Sequence, residues 1–145
     1  MKQEFVDLGL PSGTLWAKHN VQIRNRKHFT HFEIPLLEDI TGHNVPSEKD
    51  FEELLEECVW KWTIVGRTRG YRVTGPNGKS IFLSTAGLSS GGFLYGVGYI
   101  GYYWSTRHYS SSTAYHLRFD GSSKNVYYTS ILCRFSVRLI KHKNI

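Results

Sequence analysis

Cysteine is scarce. Cys58 and Cys133 are the only two in 145 residues, which excludes a disulfide-stapled scaffold and leaves at most one bridge. No CxxC pair and no Cys/His spacing of the zinc-site kind occurs. His28 and His31 sit close together, with Glu33 following, but the flanking "FTHF" reads as strand or loop, so they are expected to be surface histidines. No apolar run reaches membrane-spanning length, so a soluble protein without membrane insertion is expected. The opening "MKQEFVDLGL" lacks the basic start and apolar core of a signal peptide; any such signal would lie outside this sequence.

Catalytic signatures are missing as well. No GxSxG elbow is present. Gly96, Gly98 and Gly101 mimic a dinucleotide fingerprint, but they neither follow a buried strand nor open a helix. Gly75 and Gly78 are explained by turn chemistry. No catalytic residue, metal ligand or cofactor is therefore assigned. The formal charge is +6. Solubility and an acidic partner both account for it, but the basic residues are spread along the chain and the densest run, Arg24 to His28, is short. That favours solubility over nucleic-acid binding.

What is abundant is glycine and aromatic residues, the composition of one β-rich globular domain spanning residues 1–145. One helix stands out in "PSEKDFEELLEECVW". Ser47 is the expected N-cap, Glu48 and Asp50 suit the positive helix end, and Phe51, Leu54, Leu55 and Cys58 form an inward stripe. The glutamates opposite form a solvated face. "YRVTGPNGKSIFL" predicts a hairpin around Gly75–Gly78. Residues 84–103 read as a long loop folding back over the core. "AYHLRFD" and the alternation of Phe135, Val137 and Leu139 read as strands. Between them, Tyr127 to Arg134 follows neither period. The expected core is Val6, Leu8, Leu10, Trp16, Phe51, Leu54, Leu55, Trp60, Trp62, Ile81, Leu83, Trp104, Leu117, Phe119, Phe135 and Val137, with Asp7 and Arg138 pairing between terminal strands.

Five blocks carry a family resemblance: "EFVDLGLPSGTLWAKHNV", "VPSEKDFEELLEECVWKW", "GYRVTGPNGKSIFL", "GYYWSTRHYSSSTAYHLRF" and the closing "FSVRLI". In order and over most of the chain, they resemble the Fibrobacter succinogenes major paralogous domain family of gut Bacteroidetes. The resemblance implies an α+β, C-type-lectin-type fold: small mixed or antiparallel sheets, one or two helices, long loops, and termini joined through the first and last strands. The chain departs from the family pattern in a shorter segment from Gln22 to Asn44 and in His19 where a cysteine is frequent. That removes a disulfide with that cysteine. The calcium-binding triplets of sugar-binding C-type lectins are also missing, so calcium-dependent sugar binding is not implied. Formylglycine-generating enzymes have a related fold, but their chemistry needs neighbouring reactive cysteines, which Cys58 and Cys133 match poorly.

The same fold serves the variable proteins of diversity-generating retroelements, where AAC codons become NNC codons that cannot encode Lys, Glu, Gln, Met or Trp. From Met1 to Ser80 the chain has six Lys, eight Glu, two Gln, one Met and three Trp; from Ile81 to Arg138 it has only Trp104 and Lys124. The bland alternative is a Gly- and Ser-rich β-region that excludes these residues for ordinary reasons. An exposed Ile131-Leu132-Cys133 run has no folding rationale and suits a surface selected for a partner. Tyrosine supplies contact area at low entropy cost, as in antibody paratopes. The resemblance thus implies a ligand-binding display domain, of a virion or a cell surface, that binds a cell-surface protein or glycan; homo-oligomerisation is left open. Its binding residues are expected to be Arg107, His108, Tyr109, Thr113, His116 and the run Tyr127, Tyr128, Thr129, Ser130, Ile131, Leu132, Cys133 and Arg134, all on one face. A structural domain of a Bacteroidetes surface protein, not diversified, is the alternative.

Overall fold

A computed structural model describes residues 3–22, 31–32 and 45–142, apart from the side chains of Arg107 and His108. His28 and Glu33, and most of the segment from Gln22 to Asn44, lie outside the described residues. The fold is α+β, with small sheets and one described helix. Strands β1 (Phe5–Asp7), β2 (Leu15–Ala17) and β11 (Ile140–Lys141) form one sheet, in which both terminal strands flank β2 antiparallel. Helix α1 (Glu48–Glu57) follows. Strands β3 (Val59–Val65), β4 (Thr68–Thr74) and β5 (Ser80–Ser84) make a meander, and β6 (Leu88–Ser90) with β7 (Phe93–Tyr95) a small hairpin. Strands β8 (Gly101–His108), β9 (Thr113–Phe119) and β10 (Lys124–Ser130) make the fourth sheet.

Helix α1 starts where its cap dictates. The Asp50 amide donates to Ser47 Oγ at 3.2 Å and the Ser47 amide to Asp50 Oδ2 at 2.8 Å, a reciprocal capping box. It stops at Glu57, earlier than the apolar stripe suggests. Cys58 is already extended, and β-branched Val59 opens β3. Trp60 returns its indole N–H to the Leu54 carbonyl at 2.9 Å, satisfying one of the acceptors that a helix end leaves open.

The β8–β9–β10 sheet separates two apolar cores, because strand alternation sends successive residues to opposite sides. Tyr103, Leu117 and Phe119 join Leu8, Trp16, Phe51, Leu54, Tyr71, Val73, Ile81, Leu83 and Ile140 in the first core. Trp104 and Ala114 join Val21, Phe32, Val45, Phe135 and Val137 in the second. Most of the expected core is buried. Val6, Leu55, Trp60 and Trp62 are only partly covered against the first core. Tyr103 and Tyr71, not expected, are fully part of it.

Four expectations change. His31 is not a surface histidine: it is buried, with its Nε2 2.9 Å from the Ala86 carbonyl oxygen. Residues 84–103 are not one long loop: they contain the β6–β7 hairpin and the start of β8. Residues 135–138 are not a half-buried strand; all four are buried, because this segment runs parallel to β8 through a Tyr103–Ser136 bridge and antiparallel to Phe32 on its other side. Asp7 and Arg138 do not pair. Asp7 Oδ1 accepts from the Gly9 amide, and the Arg138 guanidinium donates to Asn20 Oδ1 and to the carbonyls of Ala17 and Phe82.

Gly101 faces Phe119 across the β8–β9 ladder, and a Cβ there would sit inside the Phe119 ring contact. Gly101→Ala should therefore cost about 1–3 kcal/mol by displacing that ring. Urea denaturation of both forms checks this; equal midpoints would show that Phe119 has room to move.

Candidate binding face

The hairpin β9–β10 sets the geometry. His116 is the cross-strand partner of Tyr127, and Tyr115 of Tyr128. Cross-strand partners share a face and neighbours along a strand do not. Tyr127 and Tyr128 therefore project from opposite sides of the sheet, and the predicted residues do not form one face.

On one side, Tyr109 and Tyr128 stack with ring centroids 3.9 Å apart and planes 4° from parallel. Tyr115 meets both rings edge-on, at 5.7 Å and 6.1 Å. Tyr109 is 54% and Tyr128 53% exposed. The Tyr109 hydroxyl beside it pushes the Tyr128 phenol above its ordinary range, and Tyr115 adds to this. The stack is held by a tight turn in which the amides of Tyr109 and Ser110 donate to the Thr113 carbonyl, and the Ser110 and Thr113 hydroxyls lie 2.7 Å apart. Tyr115 was missed in the sequence because it sits in a strand whose alternation pointed to the core; it lies at the strand end, past the core's edge.

On the other side, His116 is buried, 3% exposed, between Trp104, Phe135 and Tyr127. It is not available to a ligand, because its alternation partner Ala114 already points into the second core. Tyr127 covers it and keeps an exposed edge. Ile131 and Cys133 also differ from expectation: both are half-buried and pack against the second core, which is their folding rationale. Only Leu132 of that run is open, at 80% exposure. Burial pushes the Cys133 thiol up, and burial together with Glu53 and Glu57 pushes Cys58 up to about 11, so neither thiol is made more reactive.

Tyr127 to Ser130 belongs to β10, not to an irregular segment, with Thr129 and Ser130 half-buried opposite Ala114 and Thr113. Residues 130–134 then turn: the Leu132 amide donates to Ser130 Oγ and the Cys133 amide to the Ser130 carbonyl. Arg134, half-buried, exchanges two backbone hydrogen bonds of 2.9 Å with Ser89 of β6. This joins the turn to the β6–β7 hairpin, where Phe93, Leu94, Tyr95, Val97 and Tyr99 are all exposed. Those five were not singled out in the sequence, although "FLYGVGY" was a visible signal. Arg107 and His108 end β8 after a register shift, His108 opposite Ala114. Among the described residues, no three His, Cys, Asp or Glu side chains cluster as metal ligands do.

In comparisons with family models, curated proteins and solved structures, the chain matches none.

Burial holds the His116 pKa down at about 4, against 6.5 for a free imidazole. The unfolded chain then binds the proton more readily, so stability falls as pH drops through the window from 6.5 to 4. The loss at the acid end is about 3 kcal/mol at most. His116→Phe keeps the ring contacts and should remove this component. Urea midpoints at neutral and acid pH check it: an equal acid loss in both proteins would place its origin elsewhere.

Proposed function

We propose that the chain is a ligand-binding display domain with a C-type-lectin-type fold, belonging to the Fibrobacter succinogenes major paralogous domain family, and that it is a variable protein of a diversity-generating retroelement. The observation that carries this reading is the Tyr109–Tyr115–Tyr128 cluster, whose residues lie in Ser105–Ser123 and Tyr127–Arg134, stretches that contain no Lys, Glu, Gln, Met or Trp. A folded domain leaves large aromatic rings in water at a cost, and stacked rings with hydroxyl edges are what protein and glycan surfaces bind. Two terminal strands joined to β2, small antiparallel sheets and a helix ahead of the meander suit the lectin-type reading. The partner is a cell-surface protein or glycan, met at a virion or cell surface, without nucleic acid, enzyme chemistry or calcium.

The display surface has two parts. Tyr109 and Tyr128 are the anchors on one side of the sheet; Tyr127, Leu132 and the apolar hairpin Phe93–Tyr95 are those on the other. The second reading, a structural domain that is not diversified, draws on one observation: His116, Ile131 and Cys133 are covered, as core-determined residues would be.

Sequencing the gene and its flanks across a growing population separates the two. Under the first reading, a near-copy template lies nearby, codons vary at Tyr109, Tyr127, Tyr128 and Leu132, and Trp104 and Phe135 stay fixed. An invariant gene without a template would leave the structural domain. Tyr109→Ala combined with Tyr128→Ala should lower stability by less than about 1 kcal/mol, and weaken binding to the natural host surface by about tenfold or more. Unfolding of that double variant would reassign the cluster to the core.

A further inference from the structure

A cavity of 470 Å³ opens on a different part of the molecule, between the segment after β2, the outer face of the β4–β5 pair and Arg138. Among the described residues its charged lining is Lys18, Arg72 and Arg138, with His19 beside them, and includes no Asp or Glu. Ser80 and Ser84 contribute hydroxyls, while Ile81 and Val65 supply apolar wall. It shares no residue with the tyrosine cluster or the β6–β7 hairpin.

Arg138 is the unusual member. It is 3% exposed, and its three hydrogen-bond acceptors are all neutral: Asn20 Oδ1 at 2.8 Å, the Ala17 carbonyl at 3.1 Å and the Phe82 carbonyl at 2.7 Å. Among the described residues the ion pairs are Lys18–Glu4 and Arg118–Asp120, and no described carboxylate pairs with Arg138. A buried guanidinium without a paired carboxylate is costly, and hydrogen bonds to neutral acceptors offset only part of that cost. Its field therefore extends into the cavity it borders. Arg72 adds a second guanidinium, 3.5 Å from Ser80 Oγ. Lys18 adds an ammonium whose acid partner among the described residues, Glu4, is 3.8 Å away, and both are largely exposed and so weakly coupled in water.

We propose that this cavity binds a small polyhydroxylated molecule carrying a sulfate or phosphate ester, with the oxyanion set between Arg72, Lys18 and Arg138. Guanidinium groups match tetrahedral oxyanions through paired N–H donors. Ser80, Ser84 and Asn20 offer donors and acceptors for ring hydroxyls, and the volume is in the range of small-ligand sites. The bound anion supplies the counter-charge that no described carboxylate gives Arg138.

The test is a titration followed by amide NMR, at low salt because surface charge is screened. The probes are a phosphorylated glucose, a sulfated N-acetylglucosamine, inorganic phosphate and unmodified glucose. At least one ester is expected to shift the amides of Thr68, Ser80 and Ser84, and the ester that binds more tightly names the source. Arg72→Gln and Lys18→Gln should each weaken it by about tenfold; both sites are exposed, so the variants fold. Arg138 is kept, because its bonds fasten β2 to β5. Absence of shifts with both esters, unchanged affinity in both variants, or inorganic phosphate or glucose binding as tightly as the esters would overturn the proposal. None of these outcomes bears on the tyrosine cluster, which lies elsewhere.

Discussion

The segment from Arg134 to Ile140 is hydrogen-bonded to each of the four described sheets. Arg134 pairs with Ser89 of β6, and Ser136 bonds to Tyr102 and Trp104 of β8. Arg138 reaches Phe82 of β5, and Leu139 and Ile140 lie along β2. Between these bonds Phe135 and Val137 fill the second core, and Ile140 fills the first. Four small sheets, none with enough pairing to stand alone, are thereby fixed relative to one another. The β8–β9–β10 sheet can separate two cores only because this segment closes the second one from behind.

That placement accounts for the divided surface. Trp104, Ala114 and His116 must face the segment, so Tyr127, across from His116, lies on that side. Tyr128 then falls on the other, where it meets Tyr109 and Tyr115. The turn at residues 130–134 must also drop Ile131 and Cys133 onto Phe135's core before the chain can enter it, and this leaves Leu132 outermost. Residues that the chain exposes and residues that it needs for folding thus alternate within one short stretch. A surface built this way has few positions that are free to change.

Local features were the legible ones. The Ser47 cap and the Phe51–Leu54 stripe located the helix, and Gly75–Gly78 located the β4–β5 hairpin, because both depend on residues within a few positions. β3 was obscured: Trp60 and Trp62 alternate around Lys61, but the pattern runs straight on from the helix, and only the extended Cys58 separates them. The partners of Arg138 lie 56 to 121 residues away and include two carbonyls, which have no side-chain signature. The tyrosine cluster was visible as composition but not as geometry. Whether Tyr127 or Tyr128 turns toward the core depends on the β9–β10 register, which no local period records.

Strands β1 and β11 lie on either side of β2 and are both antiparallel to it, so they run parallel to each other. Chain enters β1 beside Ala17 and leaves β11 beside Leu15, at opposite ends of that sheet. Tension along the chain would therefore load these ladders lengthwise, straining their hydrogen bonds together instead of opening them one at a time. Under such a load, resistance is set by the rate at which the ladders part and not by the equilibrium stability of the fold. The arrangement favours a domain that holds its shape while being pulled.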